Sequence, residues 1–340
     1  MTDLNKAVTE SGDAWPESAR RARLHFVSGK GGTGKTTLAS ALALALAGEG
    51  KKVLLVESEG RQGLAQLFDR PPLPPTETKI ATAEGGGQVH GLAIDIEHAL
   101  LEYLDMFYNL GFAGRAMRRI GAIDFVTTVA PGLRDVLITG KIKECVIRVD
   151  DSGRPVYDAI VVDAPPTGRI GNFLDVTTAM RDLTKTGPIR NQSDGVAQLL
   201  HSENTVVHLV TLLEAMPIQE TIDAVAELRG KDLPVGALIV NRVAPPHLSD
   251  DQIDPVAEGD VDGPALAEAL TRAGLTATDA DLQGLLTEAI EHAGRVQAQQ
   301  VAKSQLDEID VAAVEIPSFD DGVDLGRVYE IAALLRQAGA

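Results

Sequence analysis

The stretch Leu24-His25-Phe26-Val27-Ser28-Gly29-Lys30-Gly31-Gly32-Thr33-Gly34-Lys35-Thr36-Thr37 decides the fold. Residues 24–28 form a short apolar run bounded by glycine and read as a buried strand. From Thr36 to Ala47 the chain is rich in Ala and Leu, which favour helix, and Gly48 is a plausible stop. Residues 53–57 (VLLVE) are a second apolar run, so the order strand, helix, strand fits a βαβ unit in a parallel sheet. Between the first strand and the helix, Gly29, Gly34, Lys35 and Thr36 satisfy G-x-x-x-x-G-K-[ST]. The glycines, with Gly31 and Gly32, let successive backbone N–H groups turn toward phosphate oxygens, and the helix adds its positive end. Lys35 is expected to reach the β- and γ-phosphates of a nucleotide, and the Thr36 hydroxyl to coordinate Mg²⁺.

Outward from this core, residues 70–75 (RPPLPP) and 84–87 (EGGG) read as linker. A strand is expected over 89–96, a helix over 97–119, a strand over 125–129 and a helix over 133–149. Residues 159–163 (AIVVD) are the clearest buried strand, followed by helical patterns near 170–183 and 195–201. Strands at 205–211, 235–241 and 312–316 and helices at 218–229 and 323–337 complete the reading. The expectation is a flexible tail over 1–22 and a single α/β domain over 23–340, a mostly parallel sheet flanked by helices. Within it lie a small helical subdomain, inserted at about 97–150, and an acidic helical region at about 244–310, which holds fourteen acidic and three basic residues.

Composition narrows the function. The 340 residues carry a formal charge of −18 without a clustered basic run, which argues against a nucleic-acid partner and a polybasic membrane anchor. The longest apolar run, Leu38 to Ala47, is too short to span a bilayer, so no stable membrane insertion is expected. The first twenty residues include Asp3, Glu10, Asp13 and Glu17 and do not read as a secretory signal; the expected location is cytoplasmic. Cys145 is the one cysteine, which excludes an internal disulfide and a CxxC zinc site.

The loop's full form, KGGTGKTT over Lys30–Thr37, and three further segments resemble the ArsA/tail-anchored-protein-targeting ATPase family, the anion-transporting ATPases, a P-loop NTPase group with a deviant Walker A loop. Asp163-Ala164-Pro165-Pro166-Thr167-Gly168-Arg169 with Phe173-Leu174 resembles that family's switch II, DTAPTGH followed by Phe-Leu. Pro131-Gly132-Leu133-Arg134-Asp135 is similar to its PG-x-D-E segment, and Ile239-Val240-Asn241-Arg242 to the strand end whose Asn reads adenine. The resemblance implies an ATPase using ATP and Mg²⁺, with the whole loop including Thr33 and Thr37 on the phosphates. It implies that Asp163 holds the metal, that Asn241 and Arg242 meet the base, and that Pro317 to Phe319 complete the adenine pocket. It also implies that Lys30 reaches across a dimer to the partner's nucleotide, as an arginine finger does elsewhere.

The chain departs from the family at switch I. Glu57-Ser58-Glu59-Gly60-Arg61-Gln62-Gly63-Leu64 replaces the start of DPAHNLSDAF, placing Glu59 on the Asp that orients the attacking water. The extra methylene moves that carboxylate about 1.5 Å outward, and a misplacement of about 1 Å can cost about 10²-fold, so slow turnover is expected. The family's zinc-bridging cysteines are missing, so zinc is not expected. A single copy of the domain needs a second ATPase subunit, either an identical chain or a paralogue, and its nucleotide state would control a protein client. Two alternatives are a nucleotide-binding regulatory subunit with little turnover and a positioning ATPase of the MinD/ParA type, in which Glu57 and Glu59 would replace paired aspartates.

Overall fold

A computed structural model describes residues 15–108, 133–175, 188–245, 247–319 and 321–340. The expected strand over 125–129, the second halves of the helical patterns at 97–119 and 170–183, and Pro131-Gly132 lie outside the described residues.

In chain order the described elements are α1 (Glu17–Arg21), β1 (Leu24–Gly29), α2 (Lys35–Leu46), β2 (Lys52–Glu57), α3 (Gly63–Leu67), β3 (Thr78–Thr82) and β4 (Gln88–Ala93). There follow α4 (Ile96–Tyr108), α5 (Leu133–Ile147), β5 (Ala159–Asp163), α6 (Thr167–Leu174), α7 (Pro188–Leu200), β6 (Thr205–Leu212), α8 (Ala215–Gly230) and β7 (Val235–Val243). The chain closes with α9 (Asp250–Ala257), α10 (Gly263–Arg272), α11 (Asp279–Asp307), β8 (Ala313–Pro317) and α12 (Leu325–Gln337).

The strands form one sheet in the order β3-β4-β2-β5-β1-β6-β7-β8. Every neighbouring pair is parallel except β3 with β4 at one edge. This is an α/β P-loop NTPase architecture, and helices cover both faces. Alternation along β1 divides the core: Leu24 and Phe26 join the cluster with α5 and α8, and Val27 joins the cluster with α2 and α12. Helix α2 is buried from Leu38 through Ala45, an Ala/Leu run broken only by Ser40, whose hydroxyl donates to Thr36 O at 2.8 Å, as a helix wedged between a sheet and another helix needs. The β1 strand lies between β5 and β6, and the chain leaves it toward β2 on the far side of β5. The order therefore reverses at the carboxyl end of β1, where open sheets of this kind bind ligands.

The expected loose segment over 1–22 does not hold for residues 15–22. Trp15 is buried, its ring stacks on His208 at 4.7 Å between centroids, and its backbone N–H donates to Ala338 O at 3.0 Å. Helix α1 follows at once. A large aromatic side chain buries enough apolar area to hold a short segment against β6. Between the two linker stretches, 70–75 and 84–87, lies β3, an edge strand mostly exposed and short enough to leave no alternating pattern. The acidic 244–310 region carries α9, α10 and α11. The last, at 29 residues, is about 43 Å long and buries Ala293, Ala302 and Leu306.

Candidate functional site: the phosphate loop and its switches

The loop between β1 and α2 is built by two glycines that nothing else replaces. Gly29 lies against β6, where a Cβ would meet the Val210 carbonyl oxygen at 2.2 Å. Gly34 has φ +95° and caps α2, and a Cβ there would meet the Asn241 amide nitrogen at 2.5 Å. Thr33 closes the loop on itself: its N–H and its hydroxyl both donate to the Lys30 carbonyl, at 3.3 and 2.9 Å. Around Gly31 and Gly32 there is open space. The start of α2 has no side-chain cap, so its first N–H groups face outward as anion donors.

Lys35 and Thr36 leave the first turn of α2 toward the end of β5. The Thr36 hydroxyl donates to Asp163 Oδ2 at 2.6 Å. The Lys35 ammonium rests on the Lys30 carbonyl at 3.4 Å. Burial pulls its pKa down, and the nearby Asp163 and Glu59 carboxylates oppose that. Parallel registers set Asp163 beside Val27 of β1 and Glu57 of β2. Burial pushes the Asp163 carboxyl up to about 6, opposed by the Thr36 hydroxyl and Lys35 and reinforced by Glu57 and Glu59. A hydroxyl and a carboxylate converging beside an uncapped helix start are hard oxygen donors of the kind Mg²⁺ takes, so these residues fit a metal–nucleotide complex.

The two carboxylates of switch I part company. Glu57 is buried and turned onto α3, where its oxygens accept from Gly63 N at 3.3 Å and Leu64 N at 3.4 Å. It is the helix's anionic cap. Glu59 stays near the loop, 3.2 Å from Arg61 and 3.8 Å from Arg169 of switch II. Arg169 also reaches Asp135 of α5 at 3.6 Å. Serines hold both switches to the strand ends. Ser28 Oγ donates to Pro165 O at 2.6 Å, and Ser58 Oγ to Asp163 O at 2.7 Å.

Lys30 is folded back on its own chain. Its Nζ lies 2.6 Å from Glu220 Oε1 of α8, and the other carboxylate oxygen accepts the Thr167 hydroxyl at 3.1 Å. These two contacts, that of Lys30 first, hold the Glu220 carboxyl below the usual range. No motif marked Glu220; it sits in an ordinary amphipathic helix, and only the tertiary fold brings it to the loop.

Asn241, at the end of β7, is buried and spans the loop. Its Nδ2 donates to Thr33 O at 2.8 Å, and its Oδ1 accepts the Arg242 N–H at 3.0 Å, with Arg242 at φ +57°. Pro317 ends β8 opposite Val243, and Ser318 N–H donates to Val243 O at 2.8 Å. Beside them opens a cavity of about 800 Å³, lined among others by Arg242, Ala244, His247, His292, Arg295 and Ser318. Thr37 follows Thr36 in α2. The structure thus brings Gly29 to Thr37, Glu59, Asp163 and Asn241 to one end of the sheet, with Arg242 and Pro317 on its β7–β8 side. Cys145 lies elsewhere, on the buried side of α5, with its thiol pushed up to about 12 by burial. Among the described residues no group of three or more His, Cys, Asp and Glu is placed to hold a metal, and no helix is long and apolar enough to cross a membrane.

The chain matches a family model described as Anion-transporting ATPase over residues 22–199. ATPase BagA of Mycobacterium tuberculosis (strain ATCC 25618 / H37Rv) is 61% identical over 336 residues, 98% of this chain and 99% of that protein. Putative arsenical pump-driving ATPase 2 of Aquifex aeolicus is 28% identical over 67% of this chain and 83% of its own length. ATPase GET3 of Kluyveromyces lactis is 24% identical over 71% of this chain and 75% of its own length.

Proposed function

Because the chain belongs to the anion-transporting ATPase family, we propose that this ATPase works as a Mg²⁺-dependent dimer whose ATP and ADP states switch its conformation and so control a protein partner. The observation that carries the reading is the Thr36 hydroxyl 2.6 Å from Asp163, beside Lys35 and the uncapped start of α2. The loop's N–H groups and Lys35 bind the phosphates, and Thr36 and Asp163 hold the metal. Bound Mg²⁺ supplies charge neutralisation at the β- and γ-phosphates. Asn241 and Arg242, with Pro317 and the adjoining cavity, receive the base. Glu59 orients the attacking water, and Lys30 of one subunit serves the nucleotide of the other.

Contacts of α6 support the switching. Thr167 and Arg169 contact Glu220, Glu59 and Asp135, so a shift of α6 is felt at α8, at switch I and at α5. The second subunit is an identical chain or a paralogue. The client is assigned as a protein; a thiophilic metalloid takes several thiolates, and Cys145 is the one cysteine and is buried. The chain acts in the cytoplasm.

A second reading, a nucleotide-binding regulatory subunit with little turnover, draws on one observation: Glu59 is engaged by Arg61 and Arg169 instead of being free above the loop. Single-turnover ATP hydrolysis separates the two. Mg²⁺-dependent hydrolysis by the chain, or by its complex with a paralogue, supports the first; no hydrolysis by either leaves the second.

A further inference from the structure

Glu220 bridges two parts of the nucleotide machinery with one carboxylate. Oε1 takes the Lys30 ammonium at 2.6 Å, and Oε2 takes the Thr167 hydroxyl at 3.1 Å. Thr167 is buried, and it opens α6 four residues after Asp163. The helices carrying these groups are keyed together along their length. Gly171 of α6 leaves room for Glu227 of α8, where a Cβ would meet Glu227 Oε1 at 2.1 Å. Beyond it, Lys231 lies 3.5 Å from Asp175 Oδ2 and 3.5 Å from Asn172 Oδ1. A movement of α6 therefore changes the surroundings of Glu220.

A lysine that must reach another subunit cannot at the same time hold a carboxylate of its own. We propose that Glu220 is a positioning residue that parks Lys30 within its own subunit and frees it when Thr167 moves with switch II, so that the lysine is presented to a partner only after nucleotide has been sensed. This role rests on Lys30 acting in trans, as set out above. The carboxylate is two-pronged: the Thr167 hydroxyl on Oε2 fixes the side-chain orientation that aims Oε1 at Lys30, so losing that prong loosens the geometry of the ion pair. The bridge is about one-third exposed, with side-chain exposures of 30% for Lys30 and 35% for Glu220, so it opens without disturbing the core.

The test compares Glu220→Gln, which still accepts the Thr167 hydroxyl but lacks the charge that holds Lys30, with wild type. The partner is a second copy of the chain or the copurifying ATPase subunit. The readouts are the ATP–Mg²⁺-dependent association midpoint, by analytical ultracentrifugation, and turnover at saturating partner. Loss of one charge-assisted hydrogen bond from the resting state predicts a midpoint lowered about tenfold, with turnover at saturation within about twofold. Thr167→Val, which removes the other prong, lowers the midpoint in the same direction by about threefold. In a Lys30→Ala background, Glu220→Gln leaves the midpoint where it was. An unchanged midpoint in Glu220→Gln, or an equal shift with Lys30 already removed, overturns the parking role; an unchanged midpoint in Thr167→Val overturns its link to switch II. The trans reading is judged separately by a one-to-one mixture of Lys30→Ala and Lys35→Ala: if its turnover exceeds the average of the two variants alone, that reading stands whatever Glu220 does.

Discussion

Replacing Asp163 by Asn should make the nucleotide-free protein more stable while abolishing its hydrolysis. In the metal-free chain, burial lifts the Asp163 carboxyl from 3.8 to about 6. The folded state therefore binds a proton more tightly than the unfolded state. The stability linked to that proton is fully present below pH 4 and is lost as pH rises through 6. The loss amounts to about 3 kcal/mol at pH 7.5 and about 1 kcal/mol at pH 4.5. Asn has nearly the same shape, carries no charge at any pH, and its Oδ1 can accept the Thr36 hydroxyl that Asp163 now accepts at 2.6 Å. Thermal unfolding in EDTA should show the variant melting about 4 °C above wild type at pH 7.5, with only about a third of that free-energy gain left at pH 4.5. With ATP and Mg²⁺ added the order should reverse, because the carboxylate proposed to hold the metal is gone, and turnover should fall by at least about 10²-fold. No gain at pH 7.5, or the same gain at both pH values, would refute the claim that a buried, destabilised carboxylate waits for a cation at the end of β5.

Two further outcomes follow from buried hydrogen bonds. Asn241→Ala removes the donor to the Thr33 carbonyl and should weaken ATP and ADP binding about tenfold by calorimetry; unchanged affinity for both would show that the loop does not need this brace. The His25–His208 pair lies in a one-way chain: the Ala237 N–H donates to His208 Nδ1 at 3.1 Å, the ring nitrogens meet at 3.2 Å, and His25 Nε2 reaches Ala22 O at 3.0 Å. That order makes both rings neutral Nε2–H tautomers. Burial lowers His25 to about 4 and His208 well below its ordinary value. Because these folded values lie below the unfolded one, the pair contributes stability above pH 6.5 that is lost as pH falls toward 4. The two imidazoles should show no NMR titration between pH 8 and 5.5, and a midpoint near 6.5 for either would contradict the assignment.

What the sequence made legible was local. Strand, glycine loop and helix follow one another from Leu24 to Leu46, and each is coded by neighbours: apolar residues, then backbone freedom, then Ala and Leu. The AIVVD run likewise announced a strand ending on a carboxylate, and the carboxylate lies at the Thr36 hydroxyl. Less legible features depend on partners far along the chain. Asn241 is a recognisable residue type at a recognisable strand end, yet its contact with the Thr33 carbonyl joins residues 208 positions apart. Trp15 looked like part of a tail because its stacking partner, His208, lies on β6. Glu57 and Glu59 are two residues apart and chemically alike, and only the position of α3 decides that one caps a helix while the other stays by the loop. Glu220 left no trace because a single Glu on a helix is, by itself, an ordinary solvated side chain.

The central claim is that each site is completed by the other subunit's Lys30, and mixing two variants tests it most directly. Lys30→Ala retains its own phosphate loop, so it should bind ATP normally yet hydrolyse it poorly. Lys35→Ala retains Lys30 but has no working site. Mixed one to one under conditions that let subunits exchange, the two should recover about a quarter of wild-type turnover, since half the dimers are mixed and each has one competent site. For the chain paired with itself, turnover in the mixture no higher than the average of the two variants alone would contradict the account; for a pair with a paralogue, the same test mixes Lys30→Ala of this chain with the paralogue's phosphate-loop lysine variant.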